Sequence, residues 1–489
     1  LKKSAAPIKA LPPPHDRTQE ELVVSHNIDP ITPRVGSPRI TVIGTGYLGA
    51  THAICMAVLG YDVLGVDVDP GKVEALASGR VPFFEPGLPE KLREALDAGR
   101  LRFTTDFDAA AEFGDVHFIC VGTPQAPGSH AADLRYVDSA FAELARRINR
   151  KALLVGKSTV PVGTADRLTA LVQEVSPLGA ELELAWNPEF LREGFAVEDT
   201  LHPDRLVFGV ASEWAETQLR RVFAPILDDG TPVVVSDLRT AELVKAAANS
   251  FLATKISYIN AMAEICEATG ADVTLLAEAL SHDARIGGRF LKPGLGFGGG
   301  CLPKDIRAFR YRAEELGVGD AVAFLDQIDQ INLRRRARTV TLAREMAGGT
   351  LSGVKVAALG AAFKPNSDDV RDAPALDVAR MLYLEGAQVV VYDPEANVNA
   401  HRVYPDLDYV DTLVEAVAGA EIVLLLTEWD EFRDADPVAL GELVAARRIV
   451  DTRNVLDPFA YRSAGWELRA LGRPVHSGAP ISTMSEVLA

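Results

Sequence analysis

The sequence predicts an α/β chain in which two doubly wound parallel-sheet domains are joined by a long central helix. Three observations carry that prediction. A strand, glycine turn, helix and strand are written into "RITVIGTGYLGATHAICMAVLGYDVLGVDVDP" from Arg39, and the pattern returns in "VKVAALGAAFKPNSDDVRDAPALDVARMLYLEGAQVVVYDP". Between them, "RTAELVKAAANSFLATKISYINAMAEICEATG" has no internal Gly or Pro before Gly270, which allows a helix of about 30 residues and roughly 45 Å.

A chain of 489 residues exceeds what one core organises, so two or three domains are expected. The expected division is a polar tail over 1–37, a nucleotide-binding domain over 38–238, a helical linker and dimerisation region over 239–345, and a second domain over 346–489. The tail carries "LPPP", "DPITP" and "SPR" with no sustained period, and cannot bury enough apolar surface to order alone. A net charge of -18 argues against nucleic acid or an anionic membrane as partner. Cys55, Cys120, Cys266 and Cys301 show no paired spacing. No run approaches the ~20 apolar residues of a membrane span, and no secretory h-region opens the chain. The expectation is a cytoplasmic enzyme with free thiols and no metal.

In the first unit Gly44 permits a tight turn, Gly46 lets the backbone approach a pyrophosphate, and Gly49, just past Leu48, lets the helix pack on the sheet. Asp67 follows Gly49 by 18 residues, the spacing of an acid that accepts hydrogen bonds from an adenosine ribose. That combination is Rossmann-like and predicts a dinucleotide. The acid favours NAD over NADP, because a 2′-phosphate would meet a like charge, with Lys72 close by as a counterweight. The second unit lacks the G-x-G and has Gly360, Phe363 and Lys364 instead. A nucleotide held another way, its phosphate reached by Lys364, is expected there. On the central helix Lys245 and Asn249 stand four apart, hence on one face; spacing alone reads as a solvated or capping pair.

In "GLGFGGGCLPKD", Gly294 to Asp305, one cysteine follows five glycines. A glycine cluster marks close approach of backbone to a ligand, and Pro303 suits a first helical turn, which puts Cys301 at a helix N-terminus. That position and Lys304 are expected to lower the thiol's pKa. The other three cysteines sit on apolar elements and read as core. Oxidation of an alcohol to a carbonyl needs no nucleophile, whereas oxidation of an aldehyde to an acid needs an adduct from which hydride can leave. A thiolate supplies it, and water then hydrolyses the thioester.

With "GFGGGCLPKD", "NPEFLREG", "STVPVGT", "VGTP", "HPDRLVFG" and "FKPNSDDVRD", the chain resembles the UDP-glucose/GDP-mannose dehydrogenase family from about Arg39 to about residue 475. "HPDRLVFG" and "FLREG" look more like its UDP-glucose branch. The resemblance implies a four-electron oxidation of UDP-glucose to UDP-glucuronate at C6, with Cys301 as nucleophile and two NAD reduced in turn. It reverses the bland reading of Lys245 and Asn249, which would stabilise and orient the C6 oxygen. Asp305 would hold a water or tune the acid-base network. Thr159 and Glu193 would activate water against the thioester and touch the cofactor, with Glu189 a second candidate.

By the same resemblance, Phe190, Leu191 and Arg192 would line the sugar-nucleotide site. The loop Phe290, Leu291, Lys292, Pro293 and Gly294, with Gly298, Lys364 and Arg453, would hold the uridine diphosphate. Leu48, Arg371, Thr123 and Lys72 would complete the cofactor side, and Arg285 would reach across a homodimer interface into the partner's site. Three features depart from the family: Gly300 replaces the usual serine, Trp186 stands where a small residue is common and is expected to alter the pocket wall, and the tail is an addition. Competing readings are another nucleotide sugar such as dTDP-glucose or GDP-mannose, a β-hydroxyacid dehydrogenase, which has no use for Cys301, and a non-catalytic NAD-binding regulator.

Overall fold

The structure, a computed structural model, describes residues 36–474; most of the expected tail and the last 15 residues of the second domain lie outside the described residues. The first sheet is built from β1 (Ile40–Ile43), β2 (Val63–Val66), β3 (Leu101–Thr104), β4 (Val116–Ile119), β5 (Leu153–Gly156), β6 (Glu183–Trp186), β7 (Leu206–Gly209) and β8 (Val233–Ser236). Its order is β3-β2-β1-β4-β5-β6-β7-β8. Ile40 pairs with Val63 on one side and Val116 on the other, so the strand order reverses beside β1 and opens a crevice at the carboxyl ends. Strands such as "ITVI" and "VLGV" are buried along their whole length because helices cover both faces.

One element departs from the expected parallel sheet. β6 and β7 pair antiparallel through Trp186 and Gly209, and β8 follows β7. The 187–205 connection stays at the crevice end instead of crossing the sheet, so β7 must run back. That reversal leaves "NPEFLREG" on the crevice. Trp186 departs too. It is fully buried, stacked on Phe141 at 6.3 Å, and lies over Gly156, where a Cβ would come within 2.1 Å of the indole. It belongs to the core and not to the pocket wall, because the missing side chain at 156 makes room for it.

The second sheet comprises β9 (Lys355–Leu359), β10 (Gln388–Tyr392), β11 (Asp408–Tyr409), β12 (Ile422–Leu425), β13 (Arg448–Asp451) and β14 (Glu467–Ala470), all parallel, in the order β11-β10-β9-β12-β13-β14. The expected central helix spans Leu238–Thr269, 32 residues. Asp237 caps its N-terminus by accepting from the Thr240 N–H, and Gly270 ends it at φ +77°. It packs along the helices Phe324–Met346 and Leu302–Glu315. Its outer face keeps Phe251, Tyr258 and Ile265 exposed at seven-residue intervals. Among the described residues no helix is long and apolar enough to cross a membrane, and all four cysteines are free thiols.

Candidate active site

The glycine turn joins β1 to the helix Tyr47–Val58. A Cβ at Gly49 would stand 1.8 Å from the Gly44 carbonyl oxygen, so only glycine lets the helix sit against the turn. A Cβ at Gly46 would meet nothing within 4 Å: the turn faces open space. No side chain caps the helix, which leaves its first N–H groups for an anion, while Leu48 packs into the core beneath. Asp67, just past β2, accepts from the Thr45 backbone N–H at 2.8 Å and its hydroxyl at 3.1 Å, with the Lys72 ammonium 3.9 Å away. Across the crevice, Thr123 donates to the Thr159 carbonyl at 2.8 Å. Open backbone, an uncapped helix and a carboxylate at the strand end together fit a dinucleotide.

The loop from Gly294 to Cys301 packs on the second domain. A Cβ at Gly294, Gly298 or Gly300 would come within 2.7 Å of the Thr452 carbonyl, 2.3 Å of the Asp372 carbonyl or 2.3 Å of the Arg371 guanidinium, respectively. The Gly299 N–H donates to the Arg371 carbonyl at 2.9 Å, and the Gly294 N–H to Asn260 Oδ1 at 2.8 Å. The close approach expected toward a ligand is thus largely toward protein, and Gly300 is what lets Arg371 lie against the nucleophile.

Cys301 heads the helix Leu302–Glu315, as Pro303 predicted, and is exposed. Its thiol is not depressed. Desolvation of the sulfur by the surrounding protein and the Asp305 carboxylate push it above its usual value, with Glu193 adding, against the pull of Lys245 and Lys304. The Lys304 ammonium bonds Asp305 at 2.5 Å, so the positive neighbour expected beside the thiol is shared with a carboxylate. Asn249 donates to the other Asp305 oxygen at 2.6 Å. One helical turn earlier, the Lys245 ammonium stands 5.4 Å from the Phe190 ring centre, with the Arg205 guanidinium carbon at 3.9 Å from that centre.

Glu189 and Glu193, four residues apart, meet opposite surroundings. Glu189 accepts from the Phe190 and Leu191 N–H groups at 2.6 and 2.7 Å and pairs with the Lys157 ammonium at 2.8 Å. Burial opposes its charge, but Lys157 and these donors hold its carboxyl below the usual range. Glu193 faces the second domain, accepting from the Ser367 hydroxyl at 3.2 Å with Arg371 at 3.5 Å. Burial and the Asp369 carboxylate push it up to about 7, against Arg371 and Lys364. Arg192 is turned to Asp199 at 2.7 Å.

Further along, Phe290 holds φ +65°. Leu291 is buried with Ile259, Ala263 and Val273, and Lys292 is exposed. The Pro293 carbonyl accepts from Asn454 at 3.3 Å. Arg453 donates to the Leu426 and Gly296 carbonyls at 2.7 and 3.1 Å and pairs with Glu428 at 3.2 Å, so it braces the nucleophile loop. Burial lowers the Lys364 ammonium's pKa, with Glu193, Glu85 and Cys301 opposing. Arg285 is 89% exposed and, among the described residues, pairs only with Asp283, at 2.6 Å, two residues back.

Sequence reasoning missed Lys157, Asn187, Tyr47, Glu85 and Ser367. Lys157 and Asn187 follow the adjacent parallel strands β5 and β6, and the Lys157 ammonium donates to Asn187 at 3.0 Å. Polar residues at the carboxyl ends of neighbouring buried strands were the available signal.

Three domain models of the UDP-glucose/GDP-mannose dehydrogenase family match in chain order: the NAD binding domain over 38–227, the central domain over 239–334 and the UDP binding domain over 357–458. The chain is 40% identical to the UDP-glucose 6-dehydrogenase of Rhizobium meliloti over 89% of its own length and 100% of the relative's. It is 39% identical to YwqF, a UDP-glucose 6-dehydrogenase of Bacillus subtilis, over 90% and 99%. A solved UDP-glucose dehydrogenase from Pyrobaculum islandicum superposes with a TM-score of 0.83 at 39% identity, covering 90% of this chain and 99% of that one. The glycine turn therefore lies in an NAD binding domain. With every domain matched in order and nearly the full length of each relative covered, the chain belongs to the UDP-glucose/GDP-mannose dehydrogenase family.

Proposed function

We propose that this enzyme oxidises UDP-glucose to UDP-glucuronate, removing four electrons from C6 through adducts on Cys301. The observation that carries the reading is the head of the helix Leu302–Glu315, where the exposed Cys301 lies within electrostatic reach of Lys245, Asp305 and Glu193. NAD, held at the glycine turn, supplies the hydride acceptor for both oxidations. In the first, the Lys245 ammonium and Asn249 amide stabilise the C6 oxygen as its proton leaves. In the second, the Cys301 sulfur bonds to the aldehyde carbon and the carbonyl electron pair moves onto oxygen; loss of hydride and a proton leaves a thioester. Glu193 then takes a proton from water, the water oxygen attacks the thioester carbon, and the carbon–sulfur bond breaks to return the thiol. Per sugar, one water is consumed, and two NADH and three protons are released with the carboxylate.

A carboxyl near pH 7 suits a base that must accept a proton from water, whereas Glu189, fully engaged by Lys157 and backbone, suits holding the loop. With UDP-glucose, NADH absorbance is expected to report two NADH per sugar with no free aldehyde. A stoichiometry of one sinks the acid-forming reading.

The carboxylate at Asp67 supports NAD over NADP. Asp67→Ala is expected to weaken NAD roughly tenfold while narrowing its advantage over NADP, since both the ribose acceptor and the repulsive charge go. Equal use of both cofactors by the unmodified enzyme contradicts this role.

The exposed row Phe251, Tyr258 and Ile265 supports a homodimer through the central helix, and the outward Arg285 supports its acting in the partner's site. Mixing Arg285→Ala chains with Cys301→Ser chains tests this. If Arg285 acts across the interface, one site of each mixed dimer carries both lesions and the other neither, so activity returns from two inactive parents. If it acts within its own chain, mixing restores nothing.

A further inference from the structure

We propose that Glu85 is a positioning residue coupling the dinucleotide turn to the loop that carries Glu193, so that cofactor occupancy and the aim of the water-activating carboxylate are linked. It rests on the reading of Glu193 as that base. Glu85 lies in the loop "VPFFEPGLPE", outside every motif discussed above, and is only 2% exposed.

Its two carboxylate oxygens gather three donors. One oxygen accepts from the Tyr47 hydroxyl and from the Gly194 N–H at 2.6 Å; the other accepts from the Ala196 N–H at 2.7 Å. The Gly194 N–H is also 3.1 Å from the Tyr47 oxygen, so phenol, carboxylate and backbone close a triangle. Tyr47 is the first residue of the uncapped helix behind Gly46, and its ring packs on Phe83 at 4.8 Å. Its backbone therefore faces the place for the pyrophosphate while its hydroxyl holds Glu85.

Gly194 immediately follows Glu193, and a Cβ there would meet the Asn366 carbonyl at 2.7 Å, so the turn is also pressed against the second domain. Glu193 is thus fixed from behind by Glu85 and in front by Ser367 and Arg371. Burial raises the carboxyl of Glu85, yet every donor around it needs an acceptor, so the ionised form fits the triangle. A glutamine of the same shape turns an NH₂ toward an N–H or O–H donor on one side. It cannot serve both.

The test uses the full chain with Glu85→Gln and Tyr47→Phe and two readouts. In calorimetric titrations with NADH alone, both variants are expected to bind roughly three- to tenfold more weakly than the unmodified enzyme. In rapid-quench reactions with UDP-glucose and NAD, both are expected to give a burst approaching two NADH per site, then a slow phase, with a covalent sugar-nucleotide mass on Cys301. A purely structural role lowers the melting temperature and leaves the slow step where it was. Unchanged NADH binding in both variants, or slower turnover without the adduct, overturns the coupling. If Glu85→Gln does not fold, Tyr47→Phe decides by the same readouts, because it deletes only one hydroxyl. An unmodified enzyme that yields one NADH per sugar takes this coupling down together with the reading of Glu193. Two NADH with unaltered variants removes the coupling alone.

Discussion

Cys301→Ser is expected to cut turnover of UDP-glucose to the acid by roughly ten-thousandfold or more, the scale seen when the atom that forms the covalent intermediate is removed. The surrounding charges explain why serine cannot substitute. Burial and two carboxylates already oppose a negative charge on sulfur, and an alkoxide at the same place is far harder to form. Cys301 is exposed and is braced from behind, where Gly299 and Gly300 lie on the second domain. The substitution should therefore leave folding and NAD binding intact. Full activity in the serine variant overturns the role given to the thiol, and steady-state NADH production beside a melting curve settles it.

Glu193→Gln is expected to stop the cycle later. Both hydride transfers precede water attack, so the variant should release a burst of two NADH per site and then turn over roughly a hundred- to ten-thousandfold more slowly, with the acyl group left on Cys301. Mass spectrometry of the quenched protein reads the adduct directly. The pH dependence carries the same assignment. Glu193 must be ionised to take a proton from water, and its carboxyl sits at about 7. Where hydrolysis limits the unmodified enzyme, its rate should rise about tenfold per pH unit below that value and level off above it. Glutamine at 193 should remove that rise. A variant that loses activity with no burst and no adduct places Glu193 outside the hydrolytic step.

The division between Glu189 and Glu193 could not be read from "NPEFLREG", where both are four apart on one short loop. It follows from partners distant in the chain: Lys157 neutralises the first, while Ser367, Asp369 and Arg371 bracket the second. Lys245 and Asn249 are similar. Their shared face was plain from spacing, but Asn249 bonding to Asp305, 56 residues on, required the packed helices. Leu291 and Arg453, expected at the nucleotide diphosphate, are engaged by core packing and by backbone carbonyls of the nucleophile loop.

The sequence by itself determined what local periodicity and steric necessity encode. The glycine turn, the acid after β2, the two strand-rich halves, the helix Leu238–Thr269 and the placing of Cys301 at a helix head each depend on residues a few positions apart. Only the tertiary structure decided the reversal at β7, the burial of Trp186 over Gly156, the packing of the glycine loop against Arg371 and Asp372, and the upward push on Cys301 and Glu193. Those are properties of desolvation and of charges brought together from separate domains. A one-dimensional pattern names the groups, but the free energy of a proton on them is set by the water and the neighbours that folding removes or supplies.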